Sequence, residues 1–125
     1  PPTIYAKLVY ENWQYVYDMY CNGTTVDVVV KFYADEACTI PLTIPNSALP
    51  LIINYKANSS YQDQYGYYSY WQNDYTHNIT SGVSQVTVQS GVYTDNCCYD
   101  DPYNISNPNC IWNSYSLSAG NYVIK

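Results

Sequence analysis

Residues 24–33, TTVDVVVKFY, carry the clearest pattern in the chain. Val26, Val28, Val30 and Phe32 fall on one face of an extended segment, and Thr25, Asp27, Val29, Lys31 and Tyr33 fall on the other. A period of two held over that length predicts a half-buried β-strand. Asn22-Gly23 stands just before it, and that pair favours the tight turn of a β-hairpin. The preceding strand is therefore expected to end near Cys21, with Trp13, Tyr15, Tyr17 and Met19 along one face. Residues 3–10 alternate as well, with Ile4, Ala6, Leu8 and Tyr10 opposed to Tyr5, Lys7 and Val9. Glu11-Asn12 reads as the break between these two strands.

Beyond the central strand the pattern is shorter and more punctuated. Residues 39–44 are apolar, but Pro41 and Pro45 cannot donate to a ladder, so an edge strand or an extended crossover is expected there. Residues 49–56 predict a short strand and residues 58–66 a polar loop. The aromatic residues Tyr67, Tyr68, Tyr70, Trp71 and Tyr75 then gather around an Asn73-Asp74 turn. Residues 83–90 alternate weakly. Residues 111–117 and 122–125 flank Ser118-Ala119-Gly120-Asn121 as a last hairpin. Seven to nine short strands, turn chemistry between them and no amphipathic helix predict an all-β fold, an immunoglobulin-like β-sandwich. The expected organisation is an N-terminal strand over residues 1–12, able to leave its own domain, and one sandwich domain over residues 13–125.

Composition changes this picture in three respects. Tyrosine supplies 18 of 125 residues. Its rings must build part of the interior while each hydroxyl finds a partner or water, which places many of them at the edge of the core. Second, four Lys, no Arg and ten acidic residues give a net charge of −6, so no basic surface awaits a phosphate backbone and nucleic acid is not an expected partner. No apolar run approaches the roughly 18 residues of a spanning helix, so membrane insertion is not expected either. Third, five cysteines in so short a chain point to an oxidising compartment, and hence to a secreted protein at the cell exterior. Cys21 and Cys38 lie at opposite ends of the central strand, too far apart to be bridged, so Cys97, Cys98 and Cys110 are expected to supply the partners. One thiol of the five is left free or paired between subunits.

None of the reactive residue types forms a catalytic set. His77 is the one histidine, with Asp74 its nearest acid and no cysteine close in sequence, and it reads as a surface residue. Cys97, Cys98 and Cys110 lack the paired spacing of a zinc site, and disulfides are the better use for them. Asp95, Asp100 and Asp101 do not form a calcium loop and read as solvated acids. Neither a cofactor nor an enzymatic activity is expected. Asn22, Asn58, Asn78 and Asn104 each begin an N-x-S/T sequon and are candidate glycosylation sites, the last three in loops or at strand ends.

Residues 28–41, VVVKFYADEACTIP, resemble a stretch of secreted β-sandwich modules in Bacteroidota-type surface proteins, and the closing SLSAGNY of residues 116–122 is similar to the end of such modules. The resemblance implies a non-enzymatic extracellular role in an appendage, adhesin or filament. Taken with the alternation of residues 3–10, it predicts a fibre subunit whose copies join head to tail by strand complementation. Ile4, Ala6 and Leu8 would fill the neighbour's groove, and Tyr10 and Trp13 would wedge the junction. On this view, deleting residues 1–10 leaves a folded monomer that does not polymerise. The alternative is a carbohydrate-binding or adhesin module that stacks sugars on Tyr67, Tyr68, Tyr70 and Trp71.

Overall fold

The computed structural model describes residues 3–100 and 107–118, together with the backbone of residues 122–124. Seven strands form one sheet: β1 (Ile4–Tyr17), β2 (Cys21–Tyr33), β3 (Leu51–Gln62), β4 (Tyr68–Ile79), β5 (Gln85–Cys98), β6 (Asn109–Leu117) and β7 (Tyr122–Ile124). Their lateral order is β4-β3-β6-β5-β2-β1-β7, and every pairing is antiparallel. The one helical element among the described residues is a 3-10 turn over Asn46–Ala48.

The sheet folds over, so that its two halves share one core. Ile4 and Ala6 of β1 and Val30 and Phe32 of β2 are buried in the same cluster as Leu51, Ile53 and Tyr55 of β3, Ile79 of β4 and Leu117 of β6. The halves β4-β3-β6 and β5-β2-β1-β7 are joined laterally by a short ladder, Asp95–Cys98 of β5 against Asn109–Trp112 of β6. Polar bonds tie them elsewhere. The Tyr55 hydroxyl donates to the Val88 carbonyl at 3.3 Å and accepts from Gln89 Nε2 at 2.8 Å, and Asn113 Nδ2 donates to the Tyr93 carbonyl at 2.9 Å. Tyrosine thus enters the core where its hydroxyl has partners on the far side, as the physics of a buried phenol requires.

The strand over residues 24–33 sits where its pattern suggests, at the centre of the second half, and Asp27, Lys31 and Tyr33 on its second face stay half-buried. Val29 is buried along with Val26, Val28, Val30 and Phe32. Its neighbour β5 carries the irregularity. Register shifts occur opposite Thr24/Thr25, Val26/Val28 and Val28/Val29, and in each case β5 has one residue more than β2. Each such bulge adds twist, which helps a single sheet curl over itself.

Several local expectations give way to stronger competitors. Asn22-Gly23 is not a turn: both residues lie inside β2, opposite Val16 and Tyr17 of β1 and Asn96 and Cys97 of β5. The chain reverses earlier, at Asp18, whose carboxylate accepts the backbone N–H groups of Tyr20 at 2.8 Å and Cys21 at 2.7 Å. This Asp turn wins because Gly23 is needed elsewhere. A Cβ there would stand 2.4 Å from the Asp95 carbonyl oxygen, so glycine lets β5 approach β2. Gly23→Ala is expected to destabilise the fold by about 1–3 kcal/mol, the usual cost of overpacking, measured as a lowered urea midpoint. An unchanged midpoint would show that β5 yields without cost.

Asn73-Asp74 is not a turn either. β4 runs unbroken through it, paired residue for residue with β3 from Leu51↔Ile79 to Gln62↔Tyr68. The expected loop over 58–66 shrinks accordingly, and the turn is built by Asp63, which accepts the N–H groups of Tyr65 at 2.9 Å and Tyr67 at 3.0 Å, with Gly66 at φ 89°. A twelve-pair ladder outweighs the local preference of two side chains. The last hairpin is also revised: β7 pairs with β1, whereas β6 lies between β3 and β5. The segment over residues 39–44 is an extended crossover, bridged at Tyr33↔Pro41 and held by Leu42 N–H to the Phe32 carbonyl at 2.9 Å.

Candidate assembly strand and aromatic faces

The sequence pattern predicts separate strands over residues 3–10 and 13–21, but β1 is continuous from Ile4 to Tyr17. The expected break is a bulge: the ladder with β2 shifts register between Glu11 and Gln14, and Asn12 has φ 54°. The bulge divides the strand into unlike halves. In the inner half, Ile4 and Ala6 are fully buried and Leu8 packs against the same core, so residues on both sides of position 12 share one interior. In the outer half Trp13, Tyr15 and Tyr17 are exposed, the two tyrosines stacked at 6.4 Å between ring centroids. Tyr10 stands at the junction. Its ring meets Trp13 edge-on at 5.8 Å and Tyr115 edge-on at 6.5 Å, and its hydroxyl accepts the Tyr115 backbone N–H at 2.8 Å. Burial holds the Tyr115 hydroxyl above its ordinary pKa.

The bulge is held by a single carboxylate. Asp27 of β2 accepts Asn12 Nδ2 at 2.7 Å on one side and the Gly91 backbone N–H at 2.8 Å on the other, where Gly91, at φ 61°, marks the bulge of β5. The side-chain bond from Asn12, and then the backbone bond from Gly91, hold the Asp27 carboxyl below its usual value. A lowered folded-state pKa means that the stabilisation is complete above the unfolded-chain value, about 4, and is lost as pH falls through the folded value. Asp27→Asn is therefore expected to be less stable than the parent at pH 7 and to lose less on acidification below about pH 4. Thermal melts of both proteins from neutral to acid pH test this, and parallel profiles would remove the clasp. Beside it, Lys31 Nζ lies 2.6 Å from Glu11 Oε1 at the surface, and that contact raises the lysine pKa.

Among the described residues, β7 covers Ile4, Tyr5 and Ala6 on the outer side of β1. At the opposite limit of the sheet β4 pairs with β3 alone, so its outer edge is unpaired among the described residues. β4 has twelve residues, YSYWQNDYTHNI, without Lys or Pro to guard that edge.

The aromatic patch divides by face. Leu51, Ile53, Tyr55, Ala57 and Ser59 of β3 are buried, and their partners on β4 are Ile79, His77, Tyr75, Asn73 and Trp71. Trp71 therefore belongs to the core side, with Tyr75 stacked on Tyr55 at 5.3 Å. Tyr68 and Tyr70 belong to the outer side, stacked on each other at 6.0 Å. Tyr67 lies in the preceding loop. The four residues expected to form one sugar platform are thus not coplanar. Trp112 of β6, which sequence order hides, shares the outer face instead: it pairs with Ser60, and Ser60 pairs with Tyr70.

The cysteines resolve through strand parity. Cys98 pairs with Cys21 across β5 and β2, Cys97 with Cys110 across β5 and β6, and both pairs are disulfides. Successive residues of a strand face opposite ways, so the vicinal pair sends one bridge to each neighbour, on opposite faces of the sheet. Cys38, at φ 56° just past β2, is the free thiol, and desolvation, followed by the nearby Asp35 carboxylate, raises its pKa. Among the described residues no three of His, Cys, Asp and Glu gather to hold a metal ion; Asp101 lies outside them. Of the sequons, Asn22 lies within β2, Asn58 is exposed in mid-β3 and not in a loop, Asn78 is exposed next to the end of β4, and Asn104 is outside the described residues. No helix among those residues is long and apolar enough to cross a membrane. In comparison with known proteins, the chain matches no protein-family model and no curated sequence.

Proposed function

We propose that the protein is a structural subunit of an extracellular filament, an immunoglobulin-like sandwich akin to the Bacteroidota-type surface modules that residues 28–41 resemble. Copies join head to tail by β-strand complementation, and the subunit has no catalytic role. The observation that carries this reading is the construction of β1. Its inner half lies between β2 and β7, sends Ile4 and Ala6 into the core, and is bounded by the Glu11–Gln14 bulge. The same strand from a neighbouring copy would make the same ladders and fill the same place in the core. Exchange then preserves the contacts, and the balance between closed and linked forms depends on effective concentration and on the hinge. Asn12, at φ 54°, is a residue type that tolerates the left-handed region, which suits a hinge.

Two further features favour an assembly outside the cell. The disulfides require an oxidising compartment to form and persist. The long unguarded edge of β4 and the exposed Trp13, Tyr15, Tyr17 and Met19 offer surface for lateral contact between copies.

The test is electron microscopy of the purified chain over a range of concentrations, joined to sedimentation. Fibres that lengthen with concentration are expected. Monomers at every concentration, including after refolding at high concentration, would contradict the proposal.

A further inference from the structure

We infer that the outer face of β4, β3 and β6 binds one neutral pyranose ring of a glycan, held between Tyr70 and Trp112. Register puts Tyr70, Ser60 and Trp112 in one row across three adjacent strands. Neighbouring strands lie about 4.8 Å apart, so the two aromatic residues stand roughly 10 Å apart with only a serine between them. The adjacent row contributes Asn58 and, on β6, Ser114. Together these residues line a cleft of about 290 Å³, with an aromatic side chain from each flanking strand and an amide and two hydroxyls among the lining groups.

That arrangement fits the chemistry of a sugar. A pyranose has apolar C–H faces and a rim of hydroxyls. A saturated ring touching an aromatic plane on each side needs roughly 8 Å between those planes, at about 4 Å per carbon contact. The rim then meets Asn58, Ser60 and Ser114, which both donate and accept. Among the described residues no charged side chain lines the cleft, which favours a neutral ring over a phosphate or a carboxylate. Trp71 takes no part, because it projects to the other face.

The ring has two possible sources with one chemistry. Asn58 begins the sequon Asn58-Ser59-Ser60, is exposed and lines the cleft, so a glycan on Asn58 would enter its own cleft; a glycan on another molecule would enter from outside. The inference stands apart from filament formation and is tested on the monomeric fraction.

Chitotriose, cellotriose and maltotriose would be titrated into the unglycosylated full chain while the three indole N–H signals are followed by NMR. At least one probe is expected to move the Trp112 signal saturably and leave Trp13 and Trp71 in place. Trp112→Ala is expected to weaken binding about tenfold or more, the scale of one lost ring contact. Tyr70→Ala should do the same, and Tyr70 is 73% exposed, so this variant keeps the fold. Trp71→Ala should leave affinity unchanged. In a second arm, protein glycosylated at Asn58 would show a displaced Trp112 signal and no response to added probe if its own glycan is the ligand. A normal signal and response there would assign the ring to an outside glycan. The inference is overturned if no probe moves Trp112 at its solubility limit and glycosylation at Asn58 also leaves it in place, or if Trp71→Ala weakens binding as much as Trp112→Ala.

Discussion

Replacing Cys21 and Cys98 together by serine is expected to cost about 4.5 kcal/mol, much of the stability of a domain this size. The bridge closes a sequence separation of 77 residues, against 13 for Cys97–Cys110. Constraint of the unfolded chain grows with the logarithm of loop length, so the shorter bridge should contribute about 3 kcal/mol. The two bridges also do different things in the folded sheet. Cys21–Cys98 joins β2 to the end of β5 within one half, whereas Cys97–Cys110 sits in the β5–β6 ladder that connects the halves. Urea unfolding of both double-serine variants measures the difference. A larger loss from the Cys97–Cys110 variant would mean that the junction between the halves, and not chain entropy, dominates.

Deleting residues 1–10 is expected to destabilise the isolated chain by more than about 5 kcal/mol, because it removes Ile4 and Ala6 from the core and a ladder from β2. Residue alternation alone suggests a folded, non-polymerising remainder; the burial of this strand changes that outcome. The truncated protein should instead be unfolded or aggregated until a synthetic peptide of residues 3–10 is added. Recovery of a cooperative melt in a 1:1 complex would demonstrate a groove that accepts its strand from another molecule. If the truncated chain melts cooperatively near the parent temperature without peptide, β1 is an accessory to the core.

What could be read along the chain was local, and what could not was lateral. β2 was legible because valines on one face and polar residues on most of the other set its period. The burial of Val29 on the second face was not, since that depends on the neighbouring strands. Asn22-Gly23 has the chemistry of a turn, yet the close Asp95 carbonyl assigns Gly23 to strand packing, and Asp18 forms the turn through its carboxylate. Vicinal Cys97 and Cys98 announced disulfides. Their partners follow only from knowing that β5 runs between β2 and β6. The same holds for the aromatic face: Tyr70 and Trp71 are neighbours in sequence but on opposite faces, while Trp112, far along the chain, joins Tyr70 through the register of β3. The break expected at Glu11-Asn12 had a real cause, since the chain is irregular there, but pairing with β2 on both sides carries the strand through it.

Strand exchange can be read directly from one pair of positions. Lys7 and Lys31 are register partners across β1 and β2, and opposed residues of an antiparallel pair have Cα atoms about 4.5–5.5 Å apart, within the range of a disulfide. With cysteine at both positions and Cys38 replaced by serine, assembled protein would be oxidised and run on a non-reducing denaturing gel. Complementation between copies predicts a ladder of covalent multimers that collapses on reduction. Assembled protein that yields only internally bridged monomer would contradict it, because β1 would then be closed within its own chain.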